Sequence, residues 1–307
     1  MNFQEKLQFI QKYAEVTQTQ LAQMLDVSFP TLNSWLNNKS EPRVKALKKI
    51  DSLYIEYVGD LDINSSSLIL KKKRLDVLQK EYTNPFRFIM SRKDIYDSFL
   101  LEMTYHTNSI EGSTFNEPEV KAVLFDDVTI PNKTVREHQE AKNHQGALGF
   151  VMRWIRDEDG KITEGFVKKI HEILMNGILH NAGQYRTHKV RIAGSHVATS
   201  NPLKIEDNMK DFIKIYNSSS EDLVYHIAQT HAQFEQIHPF SDGNGRVGRL
   251  LMLILALRNN LAPVLIQKEK KIAYYNYLEE SQVKGNNIPL TSFIYDSLFE
   301  GYRLLKE

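Results

Sequence analysis

Apolar residues recur at helical spacing along almost the whole chain. The first example is a set of four residues on one face of a helix: Phe3, Leu7, Ile10 and Tyr13. The only strand-like stretch runs from Tyr185 to Val197, where Gly183 and Gly194 bracket a short hairpin. The pattern therefore predicts an all-α fold with one short β-hairpin.

Capping signals divide the N-terminal part into short helices. Thr17 followed by Gln20 forms a capping box, and Ser28 is suited to cap the next helix. A fourth amphipathic helix is expected over 42–57. These signals predict a small helical module at the N-terminus.

The chain is predicted to have two structured units. A helical module over 1–58 is followed by a linker over 59–74, rich in Gly, Asp and Ser, and by a larger domain over 75–307. Helices in the larger domain are predicted over nine ranges: 94–110, 117–125, 133–155, 163–179, 204–217, 221–237, 246–260, 272–283 and 290–305.

Composition narrows the class of protein. Among 307 residues 41% are apolar, the net charge is +1, and cysteine is absent. These values are typical of a globular protein, give no global reason for a polyanion partner, and exclude disulfides and thiolate metal sites. The longest apolar run, 250–257, is too short to span a membrane, and the first residues lack the apolar core of a signal peptide. We expect a soluble, cytoplasmic protein.

The sequence HPFSDGNGRVGR at 238–249 carries the strongest chemical signal. Its glycines allow close backbone approach, and it runs directly into an apolar helix whose N-terminus favours anions. Arg246 and Arg249 offer planar donors suited to phosphate oxygens. Asp242 would be repelled by phosphates unless a cation such as Mg²⁺ joined them, and His238 can act as a general base. The segment predicts chemistry on a nucleotide.

This segment resembles the Fic-family signature His-x-Phe-x-(Asp/Glu)-Gly-Asn-Gly-Arg-x-x-Arg at every fixed position. The resemblance extends over about 90–300 and implies an α-helical core that transfers AMP from ATP to a hydroxyl group of a target protein. It implies that His238 deprotonates the target hydroxyl, that Asp242 holds Mg²⁺, and that Arg249 contacts the γ-phosphate. The implied ATP phosphate-binding residues are Gly243, Asn244, Gly245, Arg246, Val247, Gly248 and Arg249.

The hairpin resembles the flap of that family and follows its Gly-x-Tyr-Arg stretch at 183–186. A flap of this kind would dock a target segment by β-augmentation. The implied docking residues are Val190, Arg191, Ile192, Ala193, Gly194, Ser195 and His196. A purely structural hairpin is the alternative.

The adenine side is implied by position alone. Tyr274 and Tyr275 occupy the place of the family's adenine-side aromatics, although a tyrosine pair on a helix is also typical of a core. Gln282 stands where some relatives have asparagine, which leaves the adenine hydrogen bonds open.

The sequence TNSIEG at 107–112 resembles the family's inhibitory motif, (Ser/Thr)-x-x-x-Glu-(Gly/Asn), with Thr107, Glu111 and Gly112 at the fixed positions. Glu111 is expected at a helix C-terminus, where an anion is unfavourable without a nearby cation. The resemblance implies that Arg249 is this cation and that an inhibitory helix near 95–112 keeps activity low. The same glutamate can assist removal of AMP in the family.

Residues 17–42 look like a helix-turn-helix of the phage-repressor type, with a tight turn at 26–27. Its second helix would offer polar and aromatic side chains to DNA bases: Phe29, Thr31, Asn33, Ser34 and Asn37. Basic residues could contact phosphates: Lys39, Arg43, Lys45, Lys48 and Lys49. Because the second helix lacks Lys and Arg, a protein-docking module is the alternative.

The leading hypothesis is an autoinhibited, Mg²⁺-dependent protein adenylyltransferase, with the protein itself as one candidate target. The alternatives are removal of AMP, transfer from another nucleotide or of phosphocholine, and a nucleotide-responsive DNA-binding regulator. No membrane partner is expected, and a homo-oligomer remains open.

Overall fold

The computed structural model describes residues 1–14, 16–59, 63, 65–157, 160–191 and 197–306. These residues form fifteen α-helices and two short 3-10 helices, and no β-strand is assigned within the described ranges. The helices are α1 Phe3–Tyr13, α2 Gln18–Met24, α3 Phe29–Leu36, α4 Val44–Tyr57, α5 Ser65–Glu81, α6 Pro85–Ser91, α7 Lys93–Ile110, α8 Glu117–Phe125, α9 Val135–Asp157, α10 Glu164–Leu174, α11 Ile205–Tyr216, α12 Leu223–Ile237, α13 Asn244–Arg258, α14 Lys271–Lys284 and α15 Ile288–Leu304.

Helices α1–α4 form the N-terminal module around their own core. The predicted capping box of Thr17 and Gln20 is present, and Ser28 caps α3. The turn between α2 and α3 passes through Asp26, whose φ of 55° lies in the left-handed region. The apolar side chains that meet inside are Leu7, Ile10, Leu21, Ala22, Leu25, Leu32, Trp35 and Ile50. Local signals were sufficient to predict this unit.

Helix α5 begins at Ser65, inside the segment predicted to be a linker. The linker prediction over 59–74 is therefore wrong from residue 65 onward. Lys71 forms an ion pair with Asp296 at 2.7 Å, and the Arg74 guanidinium lies 4.0 Å from the centre of the Phe299 ring. Lys71 and Arg74 thus pack against α15, a contact that the polarity of the sequence does not reveal.

Helix α13 is the centre of the larger domain. Every residue from Val247 to Leu257 is buried, because α13 packs against α9, α10 and α12 on different sides. A helix that is apolar all round is expected in such a position. Since α13 begins at Asn244, inside the glycine-rich segment 238–249, the core of the domain fixes that segment.

Predicted and observed helices differ at two places in this domain. Helix α10 ends at Leu174 instead of 179, and the chain then turns through Gly177 with a φ of 70°. Helix α6, Pro85–Ser91, was not predicted. Its seven residues are too few to show a clear helical period.

The predicted hairpin over 185–197 is described only in part. Residues 185–191 and 197–200 contain no strand, and 192–196 lie outside the described residues. The Thr199 hydroxyl donates to the carbonyl of Val190 at 2.9 Å, so the two ends of the segment meet.

The N-terminal module docks on α14. The Asn276 side chain donates to the carbonyl of Val58 at 2.8 Å. A Cβ atom on Gly59, whose φ is 94°, would lie 2.7 Å from the Tyr277 ring. The backbone that follows α4 therefore lies in direct contact with side chains of α14. Within the described ranges, no helix combines the length and apolar character that crossing a membrane requires.

Candidate active site

The first half of the glycine-rich segment, 238–243, is a tight loop between α12 and α13. Helix α12 ends at Ile237, its C-cap His238 has a φ of 50°, and α13 starts at Asn244. Gly243 has a φ of 79°, and a Cβ atom there would lie 2.8 Å from the Met175 sulfur. Phe240 is fully buried. The loop is therefore held by both backbone conformation and core packing.

His171 holds this loop from α10 and was not predicted. Its ring stacks on Phe240 with centroids 3.8 Å apart, its Nε2 donates to the carbonyl of Asp242 at 3.0 Å, and its Nδ1 accepts from the amide of Gly183 at 2.8 Å. Burial lowers the pKa of His171 to about 4, so the ring is neutral at neutral pH. Nothing in the spacing of a single histidine signals this role.

The Asn244 side chain closes the loop on itself. Its amide nitrogen donates to the carbonyl of Phe240 at 2.9 Å, and its oxygen accepts from the amide of Phe240 at 2.8 Å. Because both ends of the side chain are used, the expectation that it donates to a phosphate does not fit this geometry. Asn244 can contribute to a phosphate site through its backbone amide.

His238 presents one nitrogen as a base. Its Nδ1 lies 3.1 Å from the carbonyl oxygen of Glu235. Because a carbonyl only accepts, the proton of the neutral ring lies on Nδ1 and leaves the lone pair on Nε2. Burial is the main cause that lowers the pKa of His238, so the ring is neutral near pH 7.

Arg246 is buried, with 2% of its side chain exposed, and is surrounded by carboxylates. Its Nη1 lies 3.2 Å from Glu140 on α9, and its Nη2 lies 3.7 Å from Asp242. Arg136 lies 2.8 Å from the other Asp242 oxygen. Two nitrogens of the Arg246 guanidinium are therefore paired within the protein, and phosphate binding by Arg246 stays a prediction. Of the partners that were not predicted, Arg136 and Glu140 are four residues apart and could have been recognised as a helical ion pair.

Arg249 has a different partner. Its Nη2 pairs with Glu111, the C-cap of α7, and its Nε donates to the hydroxyl of Thr107. The pairing of Glu111 with Arg249 that the resemblance implied is confirmed in the structure. Burial opposes the charge of Arg249, but the Glu111 carboxylate overcomes this effect and raises the pKa of Arg249 above its usual value. The Arg249 Nη1 is buried without a hydrogen-bond partner among the described residues.

Gly245 makes this pair sterically possible. A Cβ atom on Gly245 would collide with the Glu111 carboxylate and lie 3.0 Å from the Arg249 Nη1. The glycine-rich segment therefore contributes to the Glu111 contact as well as to the loop.

A second buried carboxyl group, Glu235 on α12, was not predicted. Its Oε1 has no hydrogen-bond partner among the described residues and would lie 2.6 Å from a Cβ atom on Gly248. Its Oε2 lies 3.9 Å from the His238 Nδ1. Burial raises the pKa of Glu235 to about 8, against the opposing effect of Arg249, so this group is mostly neutral at pH 7.

Comparisons with known proteins match two parts of the chain. Residues 161–256 match the model of the Fic/DOC family, and residues 14–54 match a helix-turn-helix model. The first match contains the complete loop between α12 and α13. Over these residues the chain is similar to the Fic/DOC family.

Curated relatives are similar over most of this chain. A protein adenylyltransferase Fic from Nematostella vectensis is 28% identical over 257 residues, which cover 82% of this chain and 56% of the relative. Protein adenylyltransferase fic-1 from Caenorhabditis elegans is 26% identical over 81% of this chain and 52% of its own length. The chain spans about half the length of the curated relatives it matches.

Solved structures show the same fold. A Fic-domain-containing signaling protein from Bacteroides thetaiotaomicron has a TM-score of 0.66, with 23% identity over 77% of this chain and 98% of the other. A Fic-1 fragment from Caenorhabditis elegans has a TM-score of 0.63, with 20% identity over 98% of this chain and 96% of the fragment.

The residues predicted for the adenine side lie mostly in the core. Tyr274 is fully buried and hydrogen-bonded to His231 at 2.6 Å. The Gln282 side chain donates to the carbonyl of Ala232 at 2.9 Å. Neither side chain is therefore free to contact a base in this arrangement. Tyr275 is partly exposed, so it remains the better candidate of the three.

The other predicted site residues are only partly located. Val190 and Arg191 follow the Gly-x-Tyr-Arg stretch without strand structure, and the remaining flap residues, 192–196, are outside the described ranges. In the described part of the chain, no three metal-ligating side chains cluster. Asp242 is a single carboxylate with 41% of its side chain exposed, which fits Mg²⁺ only if substrate phosphates and water complete its ligands.

Proposed function

We propose that the Fic domain transfers AMP from ATP to a hydroxyl group of a protein and that Glu111 inhibits this transfer. The relatives named protein adenylyltransferase support the reaction, and the loop at 238–249 supplies the groups that it requires. The pair of Glu111 and Arg249 is the single observation that carries the proposed inhibition.

His238 is the proposed general base. Its Nε2 takes the proton of the acceptor hydroxyl while that oxygen attacks the α-phosphorus of ATP. The bond between the α-phosphorus and the bridging oxygen breaks, and pyrophosphate leaves. The bond from Nδ1 to the Glu235 carbonyl supports this role, because it fixes the proton on the nitrogen that faces away from the reaction.

The first turn of α13 is the proposed site for the phosphates. Backbone amides at a helix N-terminus have no partner in the helix and favour anions. The residues concerned are Asn244, Gly245 and Arg246. Arg249, one turn further along, would contact the γ-phosphate with the guanidinium that Glu111 now occupies.

Mg²⁺ is the proposed metal, with Asp242 as its protein ligand. When bound, the ion would neutralise charge on the phosphates and orient the leaving group. Arg136 and Arg246 already compensate the charge of Asp242 in the structure. These arginines and the exposed carboxylate keep an anionic side chain next to a phosphate site at low cost.

A target segment is proposed to dock along the flap at 190–196, close to the loop that carries His238. The hydrogen bond from the Arg186 amide to the Pro239 carbonyl, 2.9 Å long, supports this position because it joins the start of the flap to the loop. A cytoplasmic location remains a prediction from the sequence.

The decisive experiment uses Glu111→Gly. We expect this variant, incubated with MgATP, to gain the mass of one or more AMP groups, while the parent protein gains little. The measurement is intact mass, repeated with α-labelled ATP. Glu111→Gly combined with His238→Ala is the matched control and should bind ATP without transfer.

Two outcomes would contradict the proposal. Equal mass gain in the parent and in Glu111→Gly would remove the inhibitory role of Glu111. Transfer that persists without His238 would remove the proposed base. Thermal shifts with ATP, GTP, UTP and CTP distinguish other donors, and loss of AMP from a pre-modified target would favour the reverse activity.

DNA binding by the N-terminal module is a second proposed function. The helix-turn-helix match over 14–54 favours it, and Asn33 and Asn37 are exposed on α3. Lys49 instead pairs with Asp26 at the turn, which leaves Lys39, Arg43, Lys45 and Lys48 as the exposed basic residues. We expect a mobility shift that weakens as salt rises. No shift at low salt would favour a protein-docking module.

A further inference from the structure

Arg186 is a buried arginine, and its hydrogen-bond partners among the described residues are backbone carbonyl oxygens. Its relative exposure is 2%, and within the same ranges no ion pair joins it to a carboxylate. Its Nε donates to the carbonyl of His238 at 2.7 Å. Its Nη1 donates to the carbonyl of His188 at 2.6 Å, and its Nη2 donates to that of Ser200 at 2.7 Å and that of Ile237 at 3.4 Å.

The four acceptors come from three separate segments. His188 and Ser200 lie on either side of the flap, and Ile237 and His238 are the end of α12. The planar guanidinium has five donors in a fixed fork, so it can hold several carbonyls in one arrangement. A lysine at this position would keep the charge but lose the fork.

The position of this contact on α12 is favourable and specific. The C-terminal carbonyls of a helix carry partial negative charge that a cation stabilises. His238 adopts a left-handed φ of 50°, which a residue other than glycine keeps only when its surroundings require it. Arg186 therefore stabilises the backbone conformation that directs the His238 ring.

We propose that Arg186 is a positioning residue that fixes the catalytic base relative to both ends of the flap. The same guanidinium binds the backbone at the ends of the flap and at the end of α12. The position of a target hydroxyl docked on the flap is then fixed relative to the Nε2 of His238. This inference rests on the proposed function and extends it to a residue outside the glycine-rich segment.

The charge of Arg186 supplies a second, separable effect. Burial is the main cause that lowers the pKa of His238, the hydrogen bond to the Glu235 carbonyl opposes it, and Arg186 lowers the pKa further. Glu111 on α7 and Asp242 in the loop act in the opposite direction. Removing the positive charge of Arg186 should therefore raise the pKa of His238.

Two substitutions in the Glu111→Gly protein separate geometry from charge. We expect Arg186→Lys to lower kcat about 10- to 100-fold, because misplacement of reacting groups by ~1 Å has effects of this size. Its ATP affinity and the acid limb of its pH–rate profile should stay unchanged. Arg186→Gln should show the same loss of kcat together with an acid limb shifted to higher pH.

Thr199→Val is the matched control for the flap alone. It removes the hydrogen bond to Val190 without touching the carbonyls that Arg186 binds. We expect it to raise KM for the target and to leave kcat near the Glu111→Gly value. Two results for Arg186→Lys overturn the inference. One is a kcat equal to that of Glu111→Gly, and the other is a fall in ATP affinity as large as the fall in kcat.

A titration of His238 by NMR tests the inference without turnover. Arg186→Gln should raise the pKa of His238, and Arg186→Lys should leave it unchanged; equal pKa values in all three proteins overturn the inference. If Glu111→Gly itself shows no AMP transfer, the proposed function fails and this titration still tests Arg186. Thermal unfolding measures whether each variant is folded. If Arg186→Gln does not fold, the kcat of Arg186→Lys still tests the inference.

Discussion

Arg246 and Arg249 lie three residues apart on the same helix, are both buried, and are used differently. Arg246 pairs with Glu140 and Asp242, and Asp242 also pairs with the more exposed Arg136. Arg249 pairs with Glu111, whose side chain is 26% exposed. Each arginine has one buried donor nitrogen without a partner among the described residues, Nε in Arg246 and Nη1 in Arg249. The comparison shows that spacing places both arginines, while partners from distant helices decide which carboxylates hold each one.

The largest expected effect is on the Arg246 side. Arg246→Ala removes the buried cation beside Glu140 and leaves the exposed Arg136 as its remaining partner, and we expect a loss of about 3 kcal/mol in the free energy of unfolding. Chemical denaturation measures it. Arg136→Ala is the control, because Arg136 is 55% exposed and should contribute less than about 1 kcal/mol. Equal losses for the two variants would contradict the distinction between them.

The next largest effect is the pH dependence of the free energy of unfolding that the buried Glu235 carboxyl group causes. The pKa of Glu235 is raised to about 8 in the folded protein from a usual 4.5, so its contribution to stability is present at low pH and is lost as pH rises to 8. Relative to the parent, Glu235→Gln should therefore gain about 2–4 kcal/mol between pH 5 and pH 8.5. Denaturation at both pH values measures this change. A constant difference would show that Glu235 is ionised throughout.

A smaller effect tests whether Arg249 is available to the γ-phosphate. Glu111→Gln keeps the size of the side chain and removes its charge. We expect the ratio of ATP to ADP affinity to rise about tenfold, or about 1.4 kcal/mol, because only ATP has the γ-phosphate that is proposed to contact Arg249. Calorimetry in a His238→Ala background measures binding without turnover. An unchanged ratio would place the γ-phosphate elsewhere.

The smallest effect is expected at Asp242. Arg136→Ala removes an exposed competitor for this carboxylate, and we expect the Mg²⁺ concentration for half-maximal transfer to fall about two- to threefold. A titration of Glu111→Gly activity with Mg²⁺, with and without Arg136→Ala, measures it. A rise instead would mean that Arg136 supports the site.

Local sequence signals predicted the helices around the site and the loop itself. Caps at Thr17 and Ser28, the helical period, and the motif at 238–249 depend on neighbours within a few residues, which a sequence displays directly. The contacts of His171 and Glu140 depend instead on packing between distant helices. Sequence spacing carries no information about such contacts.

The same limit applies to Arg246 and Asn244. Arg246 pairs with Glu140 and Asp242, and both ends of the Asn244 side chain bond to Phe240. Helix α5 likewise contacts α15 through Lys71, which donates to Ser292, 221 residues away along the chain. Residue type predicted the capacity for a contact and not its partner.

Gly245 limits how inhibition can be lost by mutation. One added methyl group there would displace the Glu111 carboxylate and also fill space beside Arg249, where the phosphates are proposed to bind. A substitution at this position would therefore relieve inhibition by Glu111 and impair the proposed phosphate site at the same time. Constitutively active variants, if selected at random, should accumulate on α7 and its C-cap and should be missing from position 245.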